Sequence, residues 1–337
     1  MPIGAFISGC AGFQLTADEE AFFRETQPWG LILFKRNVEA PEQVKALTAR
    51  FREIAGRRNA PVLIDQEGGR VQRMSEPHWR KYPAARRYGE RYESDPLGAM
   101  RAARLTARLI ADDLAAAGIN VDCLPVLDVP SPGSHDVIGD RAYSTSVEKV
   151  IVLARQAMTG LLAGGVLPVI KHMPGHGQAN VDSHLTVPVV TASRKQLEAG
   201  DFLPFAAFAD APLAMTGHVV YEAIDRHNPA TQSRKVVRLI RKQIGFEGLL
   251  MTDDLSMKAL AGDMAERVRR ATEAGCDMML HCNGNLMEMQ AVAQAAGELK
   301  GKARTRARNA LKQLKRPTTF DKRLAAKELD QLLLVVA

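Results

Sequence analysis

At 337 residues, 46% apolar and 25% charged, the chain has the balance of a globular protein with a sizeable core, built as one large α/β domain or two ordinary ones. Its net charge of +7 raises nucleic acid or acidic substrates, but much of the excess lies in the last fifty residues, around Lys300-Gly-Lys-Ala-Arg-Thr-Arg-Ala-Arg308 and Lys312 to Arg323. No aromatic residue interleaves the first of those runs, which reads as a solvated helix face rather than a nucleic-acid surface.

In chain order, eight apolar runs predict strands: Ile3–Ser8, Leu31–Phe34, Pro61–Asp65, Val121–Leu127, Leu167–His172, Leu213–His218, Leu249–Asp253 and Asp277–His281. Between them amphipathic spacing predicts helices over Ala17–Glu25, Pro41–Ala55, Leu97–Ala117, Val147–Ala163, Arg194–Phe205, Ser233–Ile244 and Ala265–Ala274. A helix rich in Ala, Met and Gln follows the last strand from near Asn285. Strict alternation with short apolar strands means parallel pairing, and eight such units in this length suit a (β/α)8 TIM-type barrel. A doubly wound sheet would carry a Gly-rich phosphate turn after the first strand, where this chain has Ser8-Gly-Cys-Ala-Gly-Phe. The expectation is a single catalytic domain over 1–337 with a basic helical tail from about 300. The connections 66–96 and 133–146 are elaborated loops.

Four cysteines, Cys10, Cys123, Cys276 and Cys282, form no Cys-x-x-Cys pair and sit in or beside apolar segments, as free thiols of a reducing compartment do. Ile7-Ser-Gly-Cys10 superficially resembles a lipoprotein cleavage box, but no Lys or Arg precedes it and the apolar run is too short for a signal peptide. No apolar span reaches membrane-crossing length. A cytoplasmic protein is expected.

Barrel enzymes place reacting groups where strands end. Here those ends carry Asp65-Gln-Glu-Gly-Gly-Arg-Val-Gln-Arg73, Asp128 with Ile138-Gly-Asp-Arg-Ala-Tyr-Ser144, Thr216-Gly-His218, Thr252-Asp-Asp-Leu-Ser-Met257 and His281-Cys-Asn283. The densest is Lys171-His-Met-Pro-Gly-His-Gly-Gln-Ala-Asn-Val-Asp-Ser-His-Leu-Thr186, a glycine-punctuated loop holding His172, His176, Asp182 and His184. Paired acids and bases with Arg and Lys, and no phosphate cradle, suit a sugar. Glycoside hydrolysis needs a proton donor for the leaving oxygen and a carboxylate facing the anomeric carbon. Asp253, last in its strand, is the candidate carboxylate. Its neighbour Asp254 should face the other way and cap the following helix. No glutamate stands ready as the acid. His184 can serve, titrating near neutrality, with Asp182 two residues earlier orienting its ring.

Those motifs resemble the signatures of glycoside hydrolase family 3: Lys171-His-Met-Pro-Gly-His-Gly177, Asp182-Ser-His184, the Asp65–Arg73 run and Thr252-Asp-Asp-Leu-Ser-Met257. Within it they are similar to the single-domain bacterial β-N-acetylhexosaminidases of peptidoglycan recycling, from the first strand to about the helix after the eighth. The resemblance implies an exo-acting retaining enzyme with Asp253 as nucleophile and a His184/Asp182 acid/base pair on a mobile loop. It also implies that Asp65, Arg73, Arg141, Lys171 and His172 bind a terminal N-acetylglucosamine of anhydro-muropeptide fragments. Larger glucosidase relatives usually draw the acid/base from a second domain, which is not found here. A small sugar is the expected partner of a monomer, with no cofactor, metal, nucleic acid or membrane. The rival is a metal-dependent barrel hydrolase with His172, His176, Asp182 and His184 as ligands. Metal-binding histidine pairs normally sit on rigid strands or helices, and partners from other strand ends are lacking apart from His218 and His281. Those two read as core or supporting histidines.

Overall fold

The computed structural model describes residues 2–131, 133, 136–179 and 187–334. Eight parallel strands close into a barrel: Gly4–Ser8, Pro28–Leu33, Val62–Ile64, Val121–Asp122, Leu167–Met173, Leu213–Thr216, Leu249–Asp254 and Met278–His281. Each pairs with its successor, and the eighth returns to the first through Phe6 opposite Met279 and Ser8 opposite His281. The continuous apolar runs have a simple cause. Both faces of each strand are buried, so alternate residues serve two cores. Ile7, Ile32, Leu63, Val169, Leu213, Met251 and Leu280 fill the barrel, whereas Phe6, Leu31, Val62, Ile170, Ala214, Leu250 and Met279 pack against the surrounding helices.

The fourth strand keeps regular pairing only over Val121–Asp122. Pro125 has no N–H, and the chain beyond it returns through the Leu127 N–H donating to the Lys171 carbonyl at 2.7 Å. The second strand starts at Pro28, three residues before the expected start. The expected helix 194–205 is two, Arg194–Ala199 and Phe202–Ala207, broken at Gly200. Within 66–96 the chain forms an antiparallel hairpin, Gln66–Gly68 with Val71–Gln72, and a helix, Arg86–Tyr92, neither of them predicted.

The basic tail holds two helices. In Gly301–Leu311, Ala307 and Ala310 join Leu299 and Trp29 against the barrel's inner apolar set, sealing the end where the strands begin. Lys322–Leu334 lies on the helix Pro96–Ala116, with Lys322 on Asp113 at 2.6 Å and Arg101 on Glu328 at 2.7 Å. All four cysteines are buried free thiols. Among the described residues no helix is long and apolar enough to cross a membrane.

Candidate active site

Strand parity decides which polar groups enter the barrel mouth. Asp65 continues the inward series of Leu63, Lys171 that of Leu167 and Val169, and Asp253 that of Leu249 and Met251. All three line one cavity of ≈170 Å³ at the C-terminal ends of the strands, together with Arg73, Arg141, His172 and His176. Phe34, Met215 and Leu280 supply apolar wall beside them.

The charged groups form one network. Lys171 Nζ lies 2.8 Å from Asp65 and 2.6 Å from Glu67. Arg141 grips Glu67 through two parallel bonds of 2.9 and 2.8 Å, and Arg73 reaches the second Asp65 oxygen at 3.1 Å. Burial alone would raise the Asp65 carboxyl, but Lys171 and Arg73 outweigh it and hold the pKa well below the usual range. Glu67 likewise resists burial through Arg141 and Lys171 and is pulled down to about 2. Burial would lower Lys171, and Asp65 and Glu67 reverse that, keeping the ammonium firmly charged. Donor capacity remains: Lys171 has three N–H groups, and Arg73 Nε is buried with no partner among the described residues.

A second carboxylate organises the turn into the loop. Asp128 accepts the His176 N–H at 2.7 Å and the His172 N–H at 3.2 Å, and its other oxygen takes His172 Nδ1 at 2.7 Å. Burial opposes its ionisation, but His172 and His176 prevail and its pKa falls below the ordinary value. An ionised Asp128 fixes His172 Nδ1 as a donor, leaving Nε2 for a ligand. His176 is pushed down to about 4, chiefly by burial and then by His172, so this ring is neutral at physiological pH.

Asp253 ends the seventh strand. Burial would raise it, yet His218, His172, the Asp254 N–H at 2.8 Å and Lys171 together hold it below the ordinary carboxylate value. His218 bonds the Asp254 carbonyl through Nε2 at 2.9 Å and Thr231 Oγ through Nδ1 at 2.7 Å. The carbonyl can only accept, so Nε2 carries the proton. Asp254 does not cap a helix. Its carboxylate accepts from Ser256 N and Oγ at 3.0 and 2.6 Å and from Cys282 N at 3.2 Å, tying the turn after strand seven to strand eight. The next helix, Met264–Ala274, is capped by Asp263.

Of the residues expected to act, Asp65, Arg73, Arg141, Lys171, His172 and Asp253 thus meet at one cavity. Asp182 and His184 lie outside the described residues. Among the described residues no three His, Cys, Asp or Glu side chains gather as a metal site. His218 and His281 are fully buried, the latter on Glu288 at 2.9 Å. Sequence reasoning passed over Glu67 and Asp128 as site residues. Glu67 had a usable signal, two places after Asp65 in the same motif.

Glu67 is the hub for two cations, so Glu67→Gln should cost about 3 kcal/mol of stability by leaving Lys171 and Arg141 under-compensated in a buried place. The sign with pH follows from its depressed pKa. The carboxylate stabilises the fold above the unfolded value of about 4.3 and loses that contribution as pH falls towards 2. Urea unfolding at pH 7 and pH 3 should therefore show a smaller gap between parent and variant at pH 3. An equal gap at both would show that Glu67 acts through packing alone.

The Glycosyl hydrolase family 3 N terminal domain matches residues 9–316. A β-hexosaminidase of Bordetella avium (strain 197N) is 38% identical over 289 residues, covering 84% of this chain and 81% of that protein. Native NagZ from Neisseria gonorrhoeae superposes with a TM-score of 0.87 at 31% identity, over 99% of this chain and 98% of that one. A family 3 β-N-acetylglucosaminidase from Paenibacillus sp. str. FPU-7 gives 0.85 at 28% identity, over 97% of this chain and 66% of the other.

Proposed function

Since this chain belongs to glycosyl hydrolase family 3, we propose that it is an exo-acting, retaining β-N-acetylglucosaminidase that removes terminal N-acetylglucosamine from anhydro-muropeptide fragments of the cell wall. The observation that carries the reading is Asp253: a carboxylate kept ionised in a buried cavity, at a strand end, facing a cluster rich in hydrogen-bond donors. Its relatives' names supply the sugar.

In the proposed mechanism Asp65, Arg73, Arg141, Lys171 and His172 hold the sugar hydroxyls and acetamido group, and the apolar wall meets the ring's C–H face. Asp253 attacks the anomeric carbon. As that bond forms, the glycosidic bond breaks, and protonated His184 delivers its proton to the departing oxygen. Asp182 stabilises and orients the charged ring. Now neutral, His184 takes a proton from water, whose oxygen attacks the same carbon and expels Asp253 as carboxylate. Two displacements return the β configuration, and the proton count closes.

The first test is release of the chromophore from an aryl N-acetyl-β-glucosaminide with excess chelator present. Full activity is expected, and abolition by chelator restored with metal would establish the rival metal-dependent hydrolase. For the aglycone, N-acetylglucosaminyl-anhydromuramyl peptide should give a higher kcat/KM than chitobiose. The reverse order would assign the enzyme to chitin fragments.

A further inference from the structure

The helix Gly301–Leu311 that seals the far end of the barrel borders a second cavity, of ≈390 Å³, remote from the sugar site. Trp29, Leu299 and Leu311 contribute apolar wall, while Arg57, Arg304 and Arg308 also line it, and among the described residues no carboxylate does. Arg304 and Arg308 stand four residues apart, on one face of the helix. Other arginines of the tail and surface find acids: Arg306 meets Asp277 at 2.8 Å, and Arg155 meets Asp210 at 3.0 Å. Arg304 and Arg308 have no side-chain partner among the described residues. Arg57 donates to the Trp29 carbonyl at 3.1 Å and to the Pro28 carbonyl, yet its Nε is buried without a partner among the described residues. Burial holds its pKa down to about 10, a penalty that a nearby anion would relieve. A neighbouring depression, sharing Asn59, adds Arg52, Arg58, Lys315 and Arg316, again with no carboxylate among the described residues.

Guanidinium groups without a carboxylate partner around one hollow repel one another and present planar forks suited to carboxylate, sulfonate or phosphate oxygens. The apolar wall adds a demand that a simple inorganic ion does not meet. A flat lipid surface fits poorly, because the cations line a concavity and none of the large exposed apolar side chains, such as Leu97, Leu203 and Met287, lies at its rim. We infer that this cavity binds a small organic anion with an apolar body, its charge held by Arg304 and Arg308 and its body laid against Leu299, Leu311 and Trp29.

The probe is 8-anilinonaphthalene-1-sulfonate, titrated by fluorescence and calorimetry into the full-length protein, with N-phenyl-1-naphthylamine as its neutral counterpart. Saturable binding of one sulfonate is expected, undisturbed by N-acetylglucosamine and at least tenfold tighter than the neutral compound. Arg304→Gln and Arg308→Gln should each raise Kd about tenfold, with melting temperature and chromophore release unchanged. Thr305→Trp, which fills the mouth without altering charge, should abolish binding in a folded protein. The inference is overturned by absence of saturable binding, by undiminished affinity in the double arginine variant, or by equal affinity for the neutral compound. Capture of heparin without binding of the sulfonate would overturn it in favour of a polyanion surface.

Discussion

Asp253→Asn should lower kcat/KM on an aryl N-acetyl-β-glucosaminide by a factor on the order of 10⁴ or more, the scale expected for removing the proposed nucleophile from a preorganised site. The amide has the same shape and can still accept the Asp254 N–H that the carboxylate takes at 2.8 Å, so melting temperature and N-acetylglucosamine affinity should change little. What disappears is the negative charge that His218, His172 and Lys171 keep on this group against the pull of burial. Asp254→Asn should be milder. Its Oδ1 can go on accepting from Ser256 and Cys282, and only the Ser256 hydroxyl must turn round to accept instead of donate. Retention by Asp253→Asn of more than a few per cent of the parent rate would remove it as nucleophile. Two further readouts bear on the same bond. NMR of the first-formed product should show the β anomer, and a slow 2-fluoro or 5-fluoro glycoside should leave a mass adduct on the peptide containing Asp253. An α product would make Asp253 a base for single displacement by water.

The barrel was readable because each strand is buried on both faces, which turns it into an apolar run that alternation with helices then orders. Asp253 was singled out by its place at a strand end, and it does line the cavity at the barrel mouth, as does Asp254, which parity had turned away. Legibility failed where side chains, not periodicity, shape the backbone. The hairpin after Asp65 is held by Gln66, whose Oε1 accepts from the Arg73 and Met74 N–H groups at 3.0 Å and whose Nε2 donates to the Met74 carbonyl at 2.8 Å. Gly68 and Gly69, at φ +94° and +57°, make its turn. Strands of three and two residues carry no periodicity to read, so the hairpin was not foreseen. The tail was half legible. Lys300–Arg308 was read as a solvated helix face, and Lys302, Arg304 and Arg308 are indeed exposed on the helix Gly301–Leu311, while Ala303, Ala307 and Ala310, spaced at three and four, carry the unforeseen packing stripe that closes the barrel. Asp254 went astray because helix capping is the commonest role for an aspartate before a turn, whereas here the nearest unsatisfied N–H groups belong to Ser256 and strand eight.

His184→Gly should divide substrates by their leaving groups. A phenol of low pKa departs without a proton, so glycosylation of the enzyme from an activated aryl glycoside should be nearly spared. Its deglycosylation, which needs a base for water, should slow and the glycosyl-enzyme accumulate, seen as a burst of phenol and a lowered KM. A sugar alcohol cannot leave unprotonated. The natural disaccharide linkage should therefore lose about 10²–10⁴-fold in kcat/KM, the usual worth of general acid help. Asp182→Asn should repeat the pattern less severely, since in the proposed mechanism Asp182 acts on the ring and not on the substrate. The described neighbours narrow the alternatives for this proton. His176 is held neutral by burial, His172 Nδ1 is committed to Asp128, and His218 has both nitrogens bonded to Thr231 and Asp254. His172 keeps Nε2 open towards the cavity, and azide or formate added to His184→Gly should restore turnover of the activated substrate by attacking the stalled intermediate. A substrate-assisted path, in which the acetamido oxygen attacks and Asp253 with Asp254 forms the carboxylate pair, forecasts otherwise. It allows no covalent adduct, and it fails when the acetamido group is shortened. Equal slowing of activated and natural substrates in His184→Gly, with no adduct on Asp253, would bring down the nucleophile and the acid/base together.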